Sequence, residues 1–222
     1  MTGGQAVTTV HGRCCPTAVY EAGLRSVAGR LWIRHTDGRR ESLPVDRWRG
    51  GVKPGDAFLL RRCNGPTLDV GCGPGRLAAA LTVRGIPALG IDVAPFAVEL
   101  TRRAGAVALR RDVFGRLPGE GRWAALVLAD GNIGIGGDPA RLLSRTTELL
   151  APTGRALVEL EPPGRPTGAH LIRLEGPDGR VSRAFPWAFV GVEEIAHLAA
   201  GAGLRVMEIW RSKGRCFAAL GS

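Results

Sequence analysis

The segment 67–76 constrains the fold more than any other part of the chain. Its sequence is TLDVGCGPGR, in which a short apolar strand runs into three alternating glycines and a helical pattern begins at Arg76. Glycine permits a sharp turn and lets a ligand approach the backbone without a Cβ in the way. The free N–H groups at the start of the following helix favour an anion. A glycine turn alone has a purely structural interpretation, but strand, turn and helix together predict a nucleotide-type ligand.

Strands and helices alternate downstream of this turn, which predicts a doubly wound, mostly parallel sheet. The last two strands are too close in sequence for a parallel crossover, so they form an antiparallel hairpin. The fold class is therefore α/β, with seven strands. We predict strands at 67–70, 88–91, 106–109, 123–129, 154–159, 204–210 and 216–220, and helices at 76–84, 95–104, 139–150 and 192–202.

The first 54 residues do not follow this rhythm and are predicted to form a small cap before a main domain at 55–222. A weak helical pattern covers 19–30, and a hairpin is predicted from strands 31–34 and 41–45 around Asp37-Gly38. A glycine-rich linker follows, and Asp56 is the predicted N-cap of a helix at 57–63. A second hairpin is predicted from strands 171–174 and 180–184. We expect the cap and this hairpin to form a lid.

Residues 68–75, LDVGCGPG, resemble the first motif of class I S-adenosylmethionine-dependent methyltransferases. The resemblance covers roughly residues 56–220, including the terminal hairpin, and implies a Rossmann-like fold with S-adenosylmethionine as the cofactor. The alternative, a dinucleotide, is typical of G-x-G-x-x-G, whereas the glycines here follow G-x-G-x-G. Asp69, just before them, suits the cationic part of S-adenosylmethionine and is poorly placed against a pyrophosphate.

Four acids stand at successive strand ends, where open α/β sheets bind ligands. Asp92 is predicted to accept from both ribose hydroxyls, since a carboxylate accepts two hydrogen bonds at once. The resemblance to these methyltransferases implies that Asp112 accepts a hydrogen bond from the adenine amino group. Asp130 is expected near the transferable methyl group. Helix capping is the common alternative for a single such acid. The predicted cofactor site comprises Asp69, Gly71, Cys72, Gly73, Gly75, Asp92, Val93, Asp112, Val113 and Asp130.

The glycine-rich loop 130–138 is predicted to form a wall of the acceptor site, with Asn132 as the polar group that orients the acceptor. A flexible loop is the alternative. The Asn/Asp-Pro-Pro-aromatic motif of many nucleobase and amine N-methyltransferases is absent here, which counts against base methylation. His170 is the candidate general base, because its unperturbed pKa suits neutral pH, although a surface histidine is the alternative. Asp130, Asn132 and His170 are thus the predicted catalytic residues, and Glu159 and Glu161 are expected to border the acceptor pocket.

The net charge of +10 raises the alternative of an RNA methyltransferase. The positive charges are scattered arginines, with Lys53 and Lys213 the only lysines, and they form no basic tract. We therefore predict a small-molecule or natural-product acceptor. A non-catalytic S-adenosylmethionine-binding partner protein remains a further alternative.

The five cysteines show no CxxC spacing and therefore predict neither a disulfide framework nor a zinc site. Methyl transfer is accordingly expected to be metal-independent. The first residues have neither the basic start nor the apolar run of a secretory signal, and no apolar stretch approaches the ~20 residues of a membrane span. These features predict a cytoplasmic protein, either a monomer or a homodimer.

Overall fold

The computed structural model of the chain describes residues 14–27 and 30–222. Within them the chain forms seven α-helices, one short 3₁₀ helix and eleven strands, which build two sheets. The first helix, α1 (Pro16–Arg25), starts with proline at its first turn, where the missing N–H costs nothing. The predicted helix 19–30 is therefore placed too late in the sequence. Its last residues include 28 and 29, which lie outside the described residues, as do residues 1–13 of the predicted cap.

The larger sheet is doubly wound. Its strands are β3 (Thr67–Val70), β4 (Ala88–Asp92), β5 (Val107–Arg110), β6 (Trp123–Leu128), β7 (Leu150–Leu160), β10 (Arg205–Ser212) and β11 (Arg215–Gly221). Their order is β10-β11-β7-β6-β3-β4-β5, with β3 to β7 parallel and β11 antiparallel to both of its neighbours. The predicted mostly parallel seven-stranded sheet with a C-terminal antiparallel hairpin is confirmed. Strand order reverses between β3 and β6, where ligands bind in such sheets.

Helices cover both faces of this sheet. They are α3 (Pro54–Leu60) and α4 (Arg76–Val83) on one face, and α6 (Pro139–Leu149) and α7 (Ile195–Gly201) on the other, while α5 (Pro95–Arg103) packs on β4 and β5. Successive side chains of β6 point to opposite faces of the sheet, and each face has its own hydrophobic core. Ala125 and Val127 pack with α3 and α4, and Leu126 and Leu128 pack with α6 and α7. A strand buried on both faces explains the continuous apolar run at 123–129.

A second, antiparallel sheet draws strands from two distant parts of the chain. Its strands are β1 (Leu31–Arg34), β2 (Arg40–Leu43), β8 (Gly168–Glu175) and β9 (Phe185–Phe189), in the order β2-β1-β8-β9. We call it the cap sheet. The first predicted hairpin is confirmed as β1 and β2, and Ile33 of β1 lies opposite Leu174 of β8.

The second predicted hairpin is wrong in its return strand. Residues 180–184 form only a single bridge to β8, at Val181, and β8 pairs instead with β9, where Ile172 lies opposite Phe185. The chain leaves the ladder at Ser182 and Arg183, which pair with Cys14. Ser182 and Arg183 thus pair with the segment before α1 and do not continue the hairpin with β8.

Two local predictions in the main domain also need correction. Asp56 is not the N-cap of α3 but its third helical residue, because Pro54 starts the helix and Lys53 is the N-cap. The Asp56 carboxylate accepts a hydrogen bond from the Lys53 N–H at 2.8 Å. Strand β7 begins at Leu150 rather than at residue 154. In the part of the chain that the structure describes, no helix is long and apolar enough to cross a membrane.

Candidate active site

A cavity of about 470 Å³ lies between the carboxyl edge of the large sheet and the cap sheet. Its floor comes from the residues that follow β3, β4, β5, β6 and β7. Its roof comes from all four strands of the cap sheet, together with α1 and the short helix α2 (Val45–Arg49). The cavity therefore lies at the switch point of strand order, closed over by the segments expected to form a lid.

The predicted glycine turn forms one end of the cavity floor. Gly71, Gly73 and Gly75 all have positive φ, at 67°, 55° and 89°, which is the left-handed region that only glycine enters without strain. A Cβ on Gly75 would lie 2.7 Å from the Thr101 backbone. The amides of Gly71 and Cys72 both donate to Ile91 O on β4. The turn is thus fixed to the neighbouring strand while its cavity side stays bare.

Asp69 is the penultimate residue of β3, Asp92 is the last residue of the neighbouring strand β4, and both line the cavity. Asp69 is 2% exposed, and its Oδ2 has no hydrogen-bond partner. Burial raises the pKa of Asp69 to about 7, although nearby Arg76 opposes the shift. Burial also raises the pKa of Asp92, offset by hydrogen bonds from the Ala94 and Gly73 amides at 2.8 and 3.1 Å.

Three further predicted cofactor residues line the cavity beyond Asp92. Val93 is half exposed, and Val113 is buried after β5. Asp112 is exposed at the rim, where its Oδ1 accepts from the Phe114 N–H at 3.0 Å. The structure brings nine of the ten predicted cofactor-binding residues to this one cavity. The exception is Gly75, which packs against Thr101 instead.

Asp130, at the end of β6, is surrounded by arginines. Its carboxylate pairs with Arg76 and with Arg47 of α2, the latter at 2.6 Å, and Arg215 lies 3.5 Å away. The residue has a positive φ of 55°, and its N–H donates to Glu159 at 2.5 Å. Backbone strain of this kind persists only where the surroundings fix it. The Asp130 carboxylate is thus held by Arg47 of α2, Arg76 of α4 and Arg215 of β11.

The same arginines continue into a buried network under the cavity. Arg215 donates to both oxygens of Glu159, at 2.7 and 2.6 Å, and to Asp56 at 2.6 Å, while Arg76 also pairs with Asp56. Burial alone would raise the pKa of Asp56, but the hydrogen bonds from Arg76 and Arg215 lower it below its usual range. Removing one member of such a network leaves an uncompensated buried charge.

The glycine-rich loop after β6 is ordered by contacts on both of its sides. Asn132 starts a 3₁₀ turn, and its amide donates to Val70 O at 2.8 Å and to Gly71 O at 2.9 Å. A Cβ on Gly134 would lie 2.0 Å from Ala188 O of β9, so glycine lets the loop touch the roof. The loop lines the cavity as predicted, but the Asn132 amide group holds the glycine turn.

His170 does not lie with the other candidate residues. It is exposed on β8 and is not among the residues that line the cavity; its ring stands 5.8 Å from that of Phe189. The structure therefore gives His170 no position from which to deprotonate an acceptor in the cavity. Three aromatic residues of the roof do line it, namely Tyr20 of α1 and Trp187 and Phe189 of β9.

Residues that the sequence did not indicate complete the site. Arg47 and Trp48 of α2 and Glu41 of β2 line the cavity, and the indole Nε1 of Trp48 is buried without a partner. Among scattered arginines, only Arg76 stood out in the sequence, because it follows the glycine turn directly. The contributions of Arg47 and Arg215 depend on contacts across more than 80 residues, which local patterns do not reveal.

Solved structures of other proteins share this architecture. A methyltransferase from Bacteroides fragilis in complex with S-adenosylhomocysteine superposes with a TM-score of 0.74 at 21% identity, covering 92% of this chain and 93% of that one. The CcbJ methyltransferase from Streptomyces caelestis gives 0.60 at 17% identity over 81% and 96%. The amino pentose methyltransferase CalS10 from Micromonospora echinaspora, with S-adenosylmethionine bound, gives 0.58 at 19% identity over 80% and 94%.

No protein-family model matches the chain, and no curated protein matches it by sequence. The shared feature is accordingly three-dimensional. The chain has the Rossmann-like fold of class I S-adenosylmethionine-dependent methyltransferases, as its first motif implies. The longest of these superpositions covers almost the whole of both chains.

Proposed function

We propose that this chain is an S-adenosylmethionine-dependent methyltransferase that acts on a small molecule. The observation that carries the proposal is the cavity at the switch point, which joins a bare glycine turn to the acids Asp69 and Asp92 at adjacent strand ends. Fold likeness at this level of identity indicates a class and not an activity. The chemistry of the residues in the cavity is what supports the proposed activity.

These residues fit S-adenosylmethionine. The unpartnered buried Oδ2 of Asp69 offers an acceptor to the ammonium group of the methionine part. Each Asp92 oxygen already accepts one backbone N–H but retains a lone pair, so the carboxylate suits two ribose hydroxyls. Val93 and Val113 supply apolar contact for the adenine, and Asp112 an acceptor for its amino group. A Cβ on Gly73 would lie 3.1 Å from Tyr20 Oη, so glycine at this position leaves more room between the turn and the roof.

The bound cofactor supplies a methyl group already activated by its sulfonium. The chain then has to hold the acceptor in line with that methyl and to exclude water, and positioning of this kind supplies much of the rate. The cap sheet and α1 close the cavity, and the Arg47–Asp130 pair fixes α2 to the end of β6. Metal-independent transfer is part of the proposal, so a chelator leaves the activity unchanged.

The acceptor is proposed to be a small molecule rather than RNA because of the charges in the cavity. Seven carboxylates and five guanidiniums line it, although the whole chain carries a net charge of +10. Arg76 and Arg215, at its base, are held by buried acids and are not free for phosphates. A basic RNA-binding groove requires Lys and Arg side chains that are free to contact the phosphates along the RNA backbone. Retention on RNA that falls steeply with salt would favour the RNA alternative.

The test is calorimetric titration with S-adenosylmethionine and S-adenosylhomocysteine of the wild type, Asp92→Ala and Asp178→Ala. Asp178 is an exposed acid in the loop after β8, so its variant is a control for loss of one carboxylate. We expect binding in the micromolar range for the wild type and the control. Asp92→Ala loses hydrogen bonds to a charged acceptor, each worth about 1.5–3 kcal/mol, and its affinity falls at least ~10-fold.

Failure of the folded wild type to bind either compound, or preferential binding of NAD, refutes the proposal. If both compounds bind but no acceptor pool or extract ever releases S-adenosylhomocysteine, a non-catalytic binding protein is the better description. Methyl transfer to an acceptor, unaffected by a chelator, supports the enzyme.

A further inference from the structure

The cavity divides into two halves on either side of the switch point. The residues that fit the cofactor follow β3, β4 and β5, on one side of the strand reversal. The rest of the floor follows β6 and β7, on the other side, and lies under β9 of the cap sheet. We call this second part the acceptor half, since the proposed function leaves it for the acceptor.

The walls of the acceptor half are apolar and largely aromatic. Phe185 and Trp187 meet edge to face with ring centroids 6.3 Å apart, and Ile135 of the loop after β6 forms a bridge with Trp187. Such walls favour the apolar body of a ligand, and aromatic faces also attract cations. The residues concerned are Ile135, Leu160, Ile172, Phe185, Trp187 and Phe189.

Four carboxylates border this half, and three of them are already closely paired. Asp130 is held by Arg47 and Arg76. Glu159 accepts from Arg215 at 2.7 and 2.6 Å. Glu41 accepts both of its bonds from Arg165, at 2.7 and 2.8 Å. These oxygens are committed to arginines and are not available to an acceptor.

Glu161 is the fourth carboxylate and differs from the others. It stands one residue beyond β7, where its N–H donates to Val190 O, and its side chain is 23% exposed. Its nearest cation is Arg165 Nε at 3.5 Å, beyond an ordinary N–H···O hydrogen bond, and that arginine donates to Glu41. Burial raises the pKa of Glu161, and Glu41 and Glu159 add to the shift while Arg165 opposes it. A carboxylate with available lone pairs thus faces an aromatic cavity.

We propose that the acceptor is a small aliphatic amine with an apolar body, and that Glu161 binds its nitrogen and acts as the general base. This inference rests on the proposed function. Glu161 takes one proton from the bound ammonium, which frees the nitrogen lone pair. The lone pair forms the new N–CH₃ bond as the methyl–sulfur bond of S-adenosylmethionine breaks, and sulfur keeps that electron pair. The product leaves as a methylated ammonium, and the proton on Glu161 passes to solvent.

The loop after β6 lacks the Asn/Asp-Pro-Pro-aromatic motif of many nucleobase and amine N-methyltransferases, so a different group has to bind the acceptor nitrogen. An aliphatic amine is basic and carries a positive charge that a carboxylate attracts directly. The excess of carboxylates over guanidiniums in the cavity disfavours an anionic acceptor. The base is also placed in the cavity, which His170 is not.

The experiment uses matched ligand triads, in which one apolar skeleton carries an amine, an alcohol or a carboxylate. Suitable skeletons are benzyl, 2-phenylethyl, cyclohexylmethyl and 2-(indol-3-yl)ethyl. Each compound is titrated calorimetrically into the wild type saturated with S-adenosylhomocysteine, and into Glu161→Gln and Glu194→Gln. Glu194 is an exposed acid at the start of α7 that makes no capping hydrogen bond, so its variant removes the same charge elsewhere.

We expect at least one amine to bind at least ~10-fold more tightly than its alcohol and carboxylate partners, which corresponds to ~1.4 kcal/mol. Glu161→Gln abolishes this preference, and Glu194→Gln retains it. In the wild type the amine affinity rises with pH as Glu161 loses its proton, while the alcohol affinity does not. The corresponding methyl-transfer rate to that amine falls in Glu161→Gln with the S-adenosylhomocysteine affinity unchanged.

The inference is overturned if no amine binds, if the charge series shows no preference, or if Glu161→Gln keeps the preference. Each of these outcomes is seen with S-adenosylhomocysteine already bound, so the proposed function survives it. Failure of the wild type to bind S-adenosylhomocysteine is a different result and refutes the proposed function itself.

Discussion

Replacing Asp69 by asparagine is expected to stabilise the protein without cofactor and to weaken cofactor binding. The pKa of this buried carboxyl is raised from 3.8 to about 7. The folded state therefore holds the proton more tightly than the unfolded chain, and stability is lost as pH rises from about 4 to about 7. At about 1.4 kcal/mol per pH unit, the ionised Asp69 costs ~4 kcal/mol above pH 7.

Asparagine has nearly the same shape and no charge at any pH. Its extra N–H remains buried and costs about 1–3 kcal/mol. The net gain at about pH 8 is therefore roughly 1–3 kcal/mol, or roughly 2–12 °C in melting temperature for a chain of this length. At about pH 5 the wild type has lost only ~1.6 kcal/mol of stability through Asp69, so the gain disappears.

The assay is thermal unfolding by calorimetry at about pH 5 and pH 8 on the wild type, Asp69→Asn and the exposed control Asp178→Asn. Titration with S-adenosylhomocysteine then measures the loss of the acceptor for the ammonium group. The control should follow the wild type at both pH values. A difference between Asp69→Asn and the wild type that does not change with pH, or a variant that is less stable at pH 8, would refute the reasoning.

Three further substitutions test other parts of the site. Arg215→Met leaves buried carboxylates unpaired and should lower the free energy of unfolding by about 3–5 kcal/mol, seen as a large drop in the calorimetric melting temperature. A drop of only a degree or two would contradict a stabilising role for the buried ion-pair network. Gly73→Ala places a residue with a side chain in the left-handed backbone region, at a cost of about 1–2 kcal/mol, and adds a Cβ beside Tyr20 Oη. The affinity for S-adenosylhomocysteine should therefore fall ~10-fold or more. An unchanged affinity would show that the turn does not contact the ligand. Arg47→Gln breaks the half-buried ion pair with Asp130 and should speed amide hydrogen exchange in residues 31–43 of the cap sheet. Unaltered exchange rates there would show that this ion pair does not hold the cap sheet in place.

The large sheet was predictable because its signals are local. The apolar run at 123–129 and the glycine turn each identify an element within about ten residues, and parallel strands share one carboxyl edge. The sequence therefore predicts that the acids at the strand ends lie near one another. Only boundaries were missed, such as the start of α3 at Pro54 rather than after Asp56.

The cap sheet was only partly predictable because its pairing is not local. Strand β1 lies opposite β8, about 140 residues away in the sequence. Strand β9 was missed since its sequence, FPWAF, contains a proline and no alternation. Proline is tolerated in this strand because β9 is at the edge of its sheet.

In the candidate site, too, residues in contiguous motifs could be predicted from the sequence, and contacts between residues far apart in the chain could not. The glycines and acids came from contiguous motifs, whereas the partners of Asp130 come from residues 83 and 85 positions away. Arginines that pair in space look no different in sequence from exposed ones. His170 was selected for its chemistry, and only the register of β8 shows that it stays at the surface.

The interleaved origin of the cap sheet has a consequence for the order in which the protein folds on the ribosome. Strands β1 and β2 are synthesised early, but β1 stays at a sheet edge until β8 has left the ribosome, after most of the large sheet. Non-local pairing of this kind is slow and leaves strand edges exposed in the meantime. Each newly made molecule therefore passes through a stage in which strands β3 to β7, at the floor of the cavity, have been synthesised and β8 and β9 of its roof have not. A cofactor that binds to the floor at that stage would act as a template on which the roof closes.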